Sequence, residues 1–488
     1  MSPLASRPTA LASARWGVCL FGLFCLTLAT GCGLSGSHYL LAETSLKSHD
    51  FQGADAAIKQ AEKEYGAKSR VLYGMDRGMT LHLAGDYRQS NLVLEQADDE
   101  VEKLYTRSVR TETVAFLTND NALPYEGDPY EQIMINVIKA LNYAQLGQFQ
   151  EALVEARRID HRLNVLTDRA KDKNLYHEDG FARYMTGILY EAAGDANNAF
   201  IAYRKAYETF EATRAWSRTG VPAQLQRDLL RTADALHLNQ ELLEYQRAFP
   251  NATWQSAQAL EQLAQVVVIS YNGRAPRKED QFLDLPISLD ALQLVLLNRG
   301  LGQSNRQHNR AADSVLYGLN GRVVRVALPR LVPQKSQVAV DTVTLVPESG
   351  NPLTVRTELV QNVTAMADKA LSERMAGITV KALARAAFKF SLAEGATRGA
   401  QQGAGKDAAP WVGLAVGLLT HGLAVASEEA DKRSWRTLPD EIHLARLWVP
   451  PGQYQLQGPS WTGEKSLGTK TVILGPGETR FLIQRVLP

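Results

Sequence analysis

A ten-residue phrase recurs three times in the first half of the chain, and it restricts the fold more than any other feature of the sequence. Gly78-Met79-Thr80-Leu81-His82-Leu83-Ala84-Gly85-Asp86-Tyr87 leads into Ser90, Leu94 and Ala97. Ala140-Leu141-Asn142-Tyr143-Ala144-Gln145-Leu146-Gly147-Gln148-Phe149 leads into Ala152, Ala156 and Ile159, and Gly187-Ile188-Leu189-Tyr190-Glu191-Ala192-Ala193-Gly194-Asp195-Ala196 leads into Ala199, Tyr203 and Ala206. In each copy a small residue opens the phrase and a glycine stands seven places later. The small residue lets two helices approach closely, and the glycine ends the first helix in a left-handed cap. The second helix then brings an alanine back against the first every few residues. A weaker copy has Phe51, Ala54, Ile58 and Ala61 after a helix that starts near Tyr39.

This order of small, aromatic, glycine, aromatic and alanine resembles the tetratricopeptide repeat, matched most fully at Gly187, Tyr190, Gly194, Ala199 and Ala206. The glycines lie 62 and 47 residues apart, where a regular array steps by about 34. Extra helix or loop is therefore expected between units, notably over 104–130. After Ala206 the pattern decays through a further helix pair (222–236 and 240–249) and stops at Pro250. Residues 37–250 read as a tetratricopeptide-like α-solenoid. In such an array, positions 2, 5, 9 and 12 of each first helix line the concave face. Here they are Leu72, Met75, Met79 and His82, then Met134, Val137, Leu141 and Ala144, then Phe181, Tyr184, Ile188 and Glu191. Exposed patches this apolar are rare on a monomer. This candidate partner groove is expected to be filled, by an apolar segment of a partner or by the chain's own inserts and C-terminal half.

Past Pro250 the period changes. Ala264 to Tyr271 is a β-branched run closed by Asn272-Gly273, a strand followed by a turn. Similar runs lie at 292–297, 322–328, 337–346, 353–359, 442–449, 453–456, 471–474 and 480–486, with turn signals such as Pro450-Pro451-Gly452 between them. No strand–helix–strand alternation connects them, so residues 251–488 read as an antiparallel, sandwich-like domain whose last fifty residues form a small end piece. The chain as a whole reads as α+β and multidomain, in keeping with its 488 residues.

A helical insertion is expected at 361–429. Its first part, 361–393, carries Arg374, Lys381, Arg385 and Lys389 along one face. A Gly/Ala/Gln-rich spacer follows at 395–405, and then 408–427, twenty residues without a charge that include Gly413 and Gly417. That length in helix, about 30 Å, matches a hydrocarbon core, and the glycine pair is a membrane packing motif. The segment is richer in Ala and Gly than in Leu, and it interrupts a β-rich domain. A helix buried against that domain is expected, with membrane entry the alternative.

The first 31 residues read as an address. Arg7 and Arg15 precede an apolar stretch, Trp16 to Ala29, which ends in Leu28-Ala29-Thr30-Gly31-Cys32. The stretch has the length of a signal-peptide core and is too short to span a bilayer. Small residues just before a cysteine resemble the lipobox of bacterial lipoproteins, although Ala29 stands where that family usually has leucine. The resemblance implies cleavage after Gly31, acylation of Cys32 (a palmitate-type anchor) and a lipid tether over 32–36. Gly33, in place of an aspartate, points by the same resemblance to the cell outer membrane. The three cysteines are at 19, 25 and 32, so no intramolecular disulfide can hold the mature fold.

Little in the chain carries chemistry. The net charge of +1 lacks the basic excess that nucleic-acid binding needs. The nine histidines never fall four apart, which removes a helical metal clip, and no cysteine pair has metal-ligand spacing. Gly403-Ala404-Gly405-Lys406-Asp407 lacks the Ser/Thr of a phosphate loop. No cofactor, metal or nucleotide is expected. Tyr125-Glu126-Gly127-Asp128-Pro129-Tyr130-Glu131 sets carboxylates beside aromatics, as a glycosidase requires. The same residues also make a helix start, with Asp128 as N-cap, Pro129 at N1 and Glu131 at N3, and this second reading is preferred.

Lipobox, irregular repeats, uncharged helix and tail together resemble a family of Gram-negative outer-membrane lipoproteins with tetratricopeptide-like repeats and no established activity. That resemblance supplies no catalytic residues. The expected function is a lipid-anchored, periplasm-facing scaffold or adaptor that docks envelope proteins through its repeat surface, without catalysis. One alternative is a membrane-active or export-complex component using 408–427. Another is a glycan-acting envelope enzyme using Glu126 and Asp128.

Overall fold

The computed structural model describes residues 37–117, 123–169, 179–286, 323–335, 342–403, 429–458 and 470–487. The leader 1–31, Cys32 with its tether, the run 292–297 and the uncharged segment 408–427 lie outside the described residues.

Five helical hairpins come first: α1 (Ser37–Lys47) with α2 (Phe51–Gln60), α3 (Arg70–Leu83) with α4 (Tyr87–Leu117), α5 (Pro129–Gln145) with α6 (Phe149–Arg169), α7 (Gly180–Ala192) with α8 (Ala196–Ser217), and α9 (Ala223–Ala235) with α10 (Asn239–Ala248). Each first helix closes in the same way. In α3 the Gly85 N–H donates to the His82 carbonyl and the Asp86 N–H to the Leu81 carbonyl, which together form a Schellman cap. The same pair of bonds recurs around His49, Gly147, Gly194 and His237, and all five central residues have φ between 56° and 80° or just above, at 82° for Gly194. Histidine tolerates this region better than bulkier or β-branched residues do. Histidines 49 and 237 therefore stand where the clearer copies carry glycine, which is why the first and fifth units are faint in the sequence. The opening small residues act as read: the Leu94 side chain at Gly78, and the Tyr203 ring at Gly187, leave no room for a Cβ. The long step from Gly85 to Gly147 is taken up largely by α4, which runs for 31 residues.

Among the described residues the strands form three sheets. An inner sheet has the order β10 (Thr479–Val486), β1 (Ala264–Asn272), β7 (Glu441–Val449), β6 (Glu358–Asn362). An outer sheet has the order β5 (Leu353–Arg356), β4 (Thr342–Pro347), β8 (Gly452–Gln457), β9 (Lys470–Leu474), and β2 (Arg274–Pro286) pairs with β3 (Val323–Gln334) as a separate ladder. Every residue of β1 is buried, because both of its faces are covered. Val267, Ile269 and Tyr271 enter the helical core with Leu444 and Phe481. Ala264, Val266 and Val268 pack with Val343, Leu345, Tyr454 and Leu456 of the outer sheet. The layers are thus helices, inner sheet, outer sheet. Each fully buried valine or leucine contributes on the order of 1.5–3 kcal/mol to holding them together.

Several expectations need correction. The β-rich half is not wholly antiparallel: β1 and β10 pair in parallel, with Ile269 opposite Ile483. β9 lies in the outer sheet, and the turn at 475–478 carries the chain across the sandwich, so β10 enters the inner sheet in the direction of β1. The last fifty residues are no separate end piece, since β7 to β10 share both sheets with β1 and β4–β6. β2 escapes sequence reading because charged residues and Pro276 hide its alternation; the register shifts between Arg274 and Arg277, at that proline. The spacer at 395–405 is helical as far as Gly403, because a single helix, α11 (Val363–Gly403), runs for 41 residues. Ala, Gln and Arg around its glycines favour helix enough to offset a cost of about 1 kcal/mol per glycine. This helix is inserted between β6 and β7, which pair in the inner sheet. Among the described residues no helix is long and apolar enough to cross a membrane.

Candidate functional site

The groove positions are buried without exception among Leu72, Met75, Met79, His82, Met134, Val137, Leu141, Phe181, Tyr184 and Ile188. Their cover is the chain's own C-terminal half. His82 accepts a contact from the Tyr271 hydroxyl of β1 at 3.2 Å on one ring nitrogen and meets Asn142 Oδ1 at 2.5 Å on the other. Nδ1 therefore carries the proton. Burial drives the His82 pKa down to about 4, so the ring is neutral. Gln145 donates to the Phe481 carbonyl of β10 at 3.0 Å, and Gln361 of β6 to Asp179 at 2.7 Å. Of the two occupants the sequence left open, the inner sheet is the one seated in this groove.

Three buried charge clusters lock that sheet and its flanking segment to the repeats. In the first, Asp76 of α3 accepts from the hydroxyls of Tyr39 (2.6 Å), Tyr65 (2.9 Å) and Thr437 (2.9 Å). The second lies at the start of α5. Glu131 accepts from the Asp128 N–H at 2.8 Å, the Trp435 N–H at 2.7 Å and the Tyr125 hydroxyl at 2.5 Å. Asp128 receives Lys278 at 3.1 Å and Arg374 of α11. Burial, reinforced by the Asp128 charge, pushes Glu131 up to about 7. Burial alone would raise Asp128 too, but Lys278 and Arg374 hold it down at about 2.

The third cluster joins α7 and α9 to β7. Arg446 donates to Asp228 at 2.5 Å and to Glu191 at 2.7 Å, while Arg231 donates to the same two carboxylates at 2.8 and 2.7 Å. Tyr184 and Tyr203 complete it, at 2.7 Å to Asp228 and 2.6 Å to Glu191. Two guanidinium groups face two carboxylates, so the cluster is neutral. Burial would raise Glu191, yet the two arginines draw it down to about 2. A lone arginine in the apolar strand sequence Ile442–Val449 is the signal that could have exposed this lock, since a buried cation needs a partner.

These clusters account for the acidic motif. Asp128 and Glu131 are buried and saturated by protein donors, and Glu126 is exposed, apart from them. A glycosidase needs one carboxylic acid held protonated beside an open sugar site, and Asp128 is instead pinned ionised between two cations. The cations expected along one face of α11 are also divided: Arg374 is spent on Asp128, Arg385 is buried and Lys381 is exposed. Lys389 has no described side chain. Among the described residues no cluster of His, Cys, Asp or Glu could hold a metal ion.

Beside the third cluster a cleft of about 590 Å³ opens between α9, the loop after α10 and β7. Arg227, Gln224, Trp254 and Trp448 line it, with Arg231 and Arg446 at its floor. The Trp448 ring lies 4.7 Å from the Arg231 guanidinium and 5.1 Å from that of Arg446.

No protein-family model matches the chain. No curated protein matches it either. Among solved structures it is similar to a MamA protein, at 15% identity and TM-score 0.28 over 44% of this chain and 91% of that one. It is also similar to the apo form of RapI, at 11% identity and TM-score 0.32 over 43% and 51% of the two chains. A third is a kinesin light chain-like protein of Podosopora anserina with nearly identical TPR-like repeats, at 16% identity and TM-score 0.30 over 45% and 97%. With likeness at that level, the tetratricopeptide-like assignment rests on the chain's own five caps and close helix contacts.

Proposed function

We propose that this protein is a lipid-anchored scaffold of the cell envelope, tethered to the outer membrane through an acylated Cys32 and facing the periplasm, which holds other proteins on its outer surface. The observation that supports this best is the self-filled groove. Repeats, inner sheet and outer sheet are joined by buried apolar layers, and buried carboxylates tie the repeats to the inner sheet and its flanking segment through hydrogen bonds and ion pairs. Such a body offers a platform. Its partners meet the faces that remain, including the second helices of the repeats, where Leu92 and Val154 are exposed at 60% and 41% beside a groove of about 470 Å³.

The test is affinity purification of the lipidated protein from its own envelope after in-cell crosslinking, alongside Cys32→Ser. A defined set of envelope proteins is expected with the wild type, and fewer with Cys32→Ser, which should leave the membrane fraction or remain unprocessed. Wild-type protein that captures nothing above background refutes the scaffold. Cys32→Ser that is cleaved and fractionates normally refutes the anchor.

A further inference from the structure

We infer that the cleft beside Arg227 receives a carboxylate of an acidic peptide segment from a partner protein, which rests on the scaffold reading and names its site. The cations around this cleft are not equivalent. Arg231 and Arg446 are neutralised by Glu191 and Asp228. The free N–H groups at the start of α9 are taken as well, since Ala223 and Gln224 donate to Glu358 at 2.5 and 3.2 Å. Arg227, by contrast, has a single neutral partner among the described residues, donating to Gln224 Oε1 at 3.0 Å. Among the groups that line this cleft, the charge left without a counter-ion is therefore that of Arg227.

That guanidinium is held from behind. The Gln224 side-chain amide donates in turn to Asp228 at 2.8 Å, so Arg227, Gln224 and Asp228 form a hydrogen-bonded chain at the edge of the cleft that Arg227 lines. A guanidinium positioned in this way suits a carboxylate, which it can grip with two parallel bonds. Trp254 is half-buried against the helical core, and with Trp448 it supplies flat apolar wall. Gln226 and Asn251, on the same lining, offer amides to a peptide backbone. The volume falls within the range of about 300–1,000 Å³ typical of ligand pockets. Arg227 also borders a second cleft of about 380 Å³, lined by Arg356 of β5 and by Glu358 of β6, whose carboxylate is held by the start of α9.

The experiment titrates the full mature chain with an array of fluorescein-labelled nonapeptides, each carrying two or three Glu or Asp around one aromatic residue. The same peptides with Gln for Glu and with Lys for Glu serve as controls. Acidic peptides should bind, more weakly as salt rises, and the neutral and basic sets should not. Arg227→Glu and Arg227→Gln should weaken binding tenfold or more, Arg227→Lys less, and Trp254→Ala several-fold. Lys59→Glu, an equal charge change at an exposed site, should leave binding alone; far-ultraviolet circular dichroism and melting confirm that each variant folds. Equal binding of acidic and neutral peptides, no binding by any acidic peptide, or wild-type affinity in Arg227→Glu each overturns the inference. Envelope partners that still co-purify in full with Arg227→Glu overturn the cleft alone and leave the scaffold standing. No envelope partner at all removes both.

Discussion

Arg446 shows how much one residue can decide here. It is fully buried, and it reaches two carboxylates on two different repeats from the middle of a strand. Replacing it with methionine would leave Glu191 and Asp228 facing Arg231 alone, and breaking a buried pair in this way costs about 3–5 kcal/mol. Denaturant unfolding of Arg446→Met should show that loss; a change below 1 kcal/mol would mean that the cluster does not hold the sheet. Glu131 gives a prediction in pH. Its folded pKa of about 7 lies above the ordinary value of 4.5, so between those values the folded state keeps a proton that the unfolded state has released. Stability from this group therefore rises as pH falls from about 7 toward 4.5. His82, depressed to about 4, works in the opposite sense as pH falls below 6.5. Glu191, depressed to about 2, loses its contribution only as pH falls below about 4.5. Comparing wild type with Glu131→Gln cancels the other two: the stability gap between them should widen from pH 7 to pH 5. A gap that stays constant over that window would contradict a Glu131 that takes up its proton on folding.

At the scale of elements, the repeated cap sets how each hairpin turns. A non-glycine residue with positive φ is held against its preference, and His49 and His237 are held this way at φ 58° and 56°. His237→Gly should therefore stabilise the protein by about 0.5–1 kcal/mol, and Gly85→Ala, at φ 80°, should destabilise it by a similar amount. Opposite shifts in melting temperature are the readout. The close approaches are less forgiving. Gly187→Val puts a branched side chain into the Tyr203 ring, and overpacking of this kind costs typically 1–3 kcal/mol. If Gly187→Val melts with the wild type, the α7–α8 contact is looser than described.

At the scale of the whole molecule, the helical and β-rich halves share one core. Among the described residues one apolar cluster runs from Tyr39 in α1 through Val267 and Ile269 of β1 to Phe481 in β10. A fragment ending at residue 250 would therefore expose Met79, Leu141 and Ile188, and would leave the carboxylates Glu191 and Asp228 with Arg231 as their one remaining arginine. Residues 37–250 expressed alone should bind a hydrophobic dye, associate and melt well below the full chain. A monomeric fragment with the melting temperature of the full chain would show that the inner sheet is not integral to the repeats.

The local chemistry of the repeats was written in the sequence because it is local. A glycine seven places after a small residue, or an aspartate-proline before a helix, acts within one or two turns, so three hairpins and the start of α5 are legible directly. The apolar list of groove positions even required that something cover them. What covers them was not legible. A strand buried on both faces, such as β1, reads only as an apolar run, and nothing in that run says which face meets the helices. The histidine caps at 49 and 237 were missed because histidine enters the left-handed region too seldom to act as a signal. The parallel pairing of β1 with β10 joins residues more than two hundred positions apart, and the second and third clusters bring together acids and bases whose spacing in the chain has no period. Such long-range contacts are chosen by packing, since a buried charge is tolerated only where the fold delivers its partner, and that delivery is a property of the tertiary structure alone.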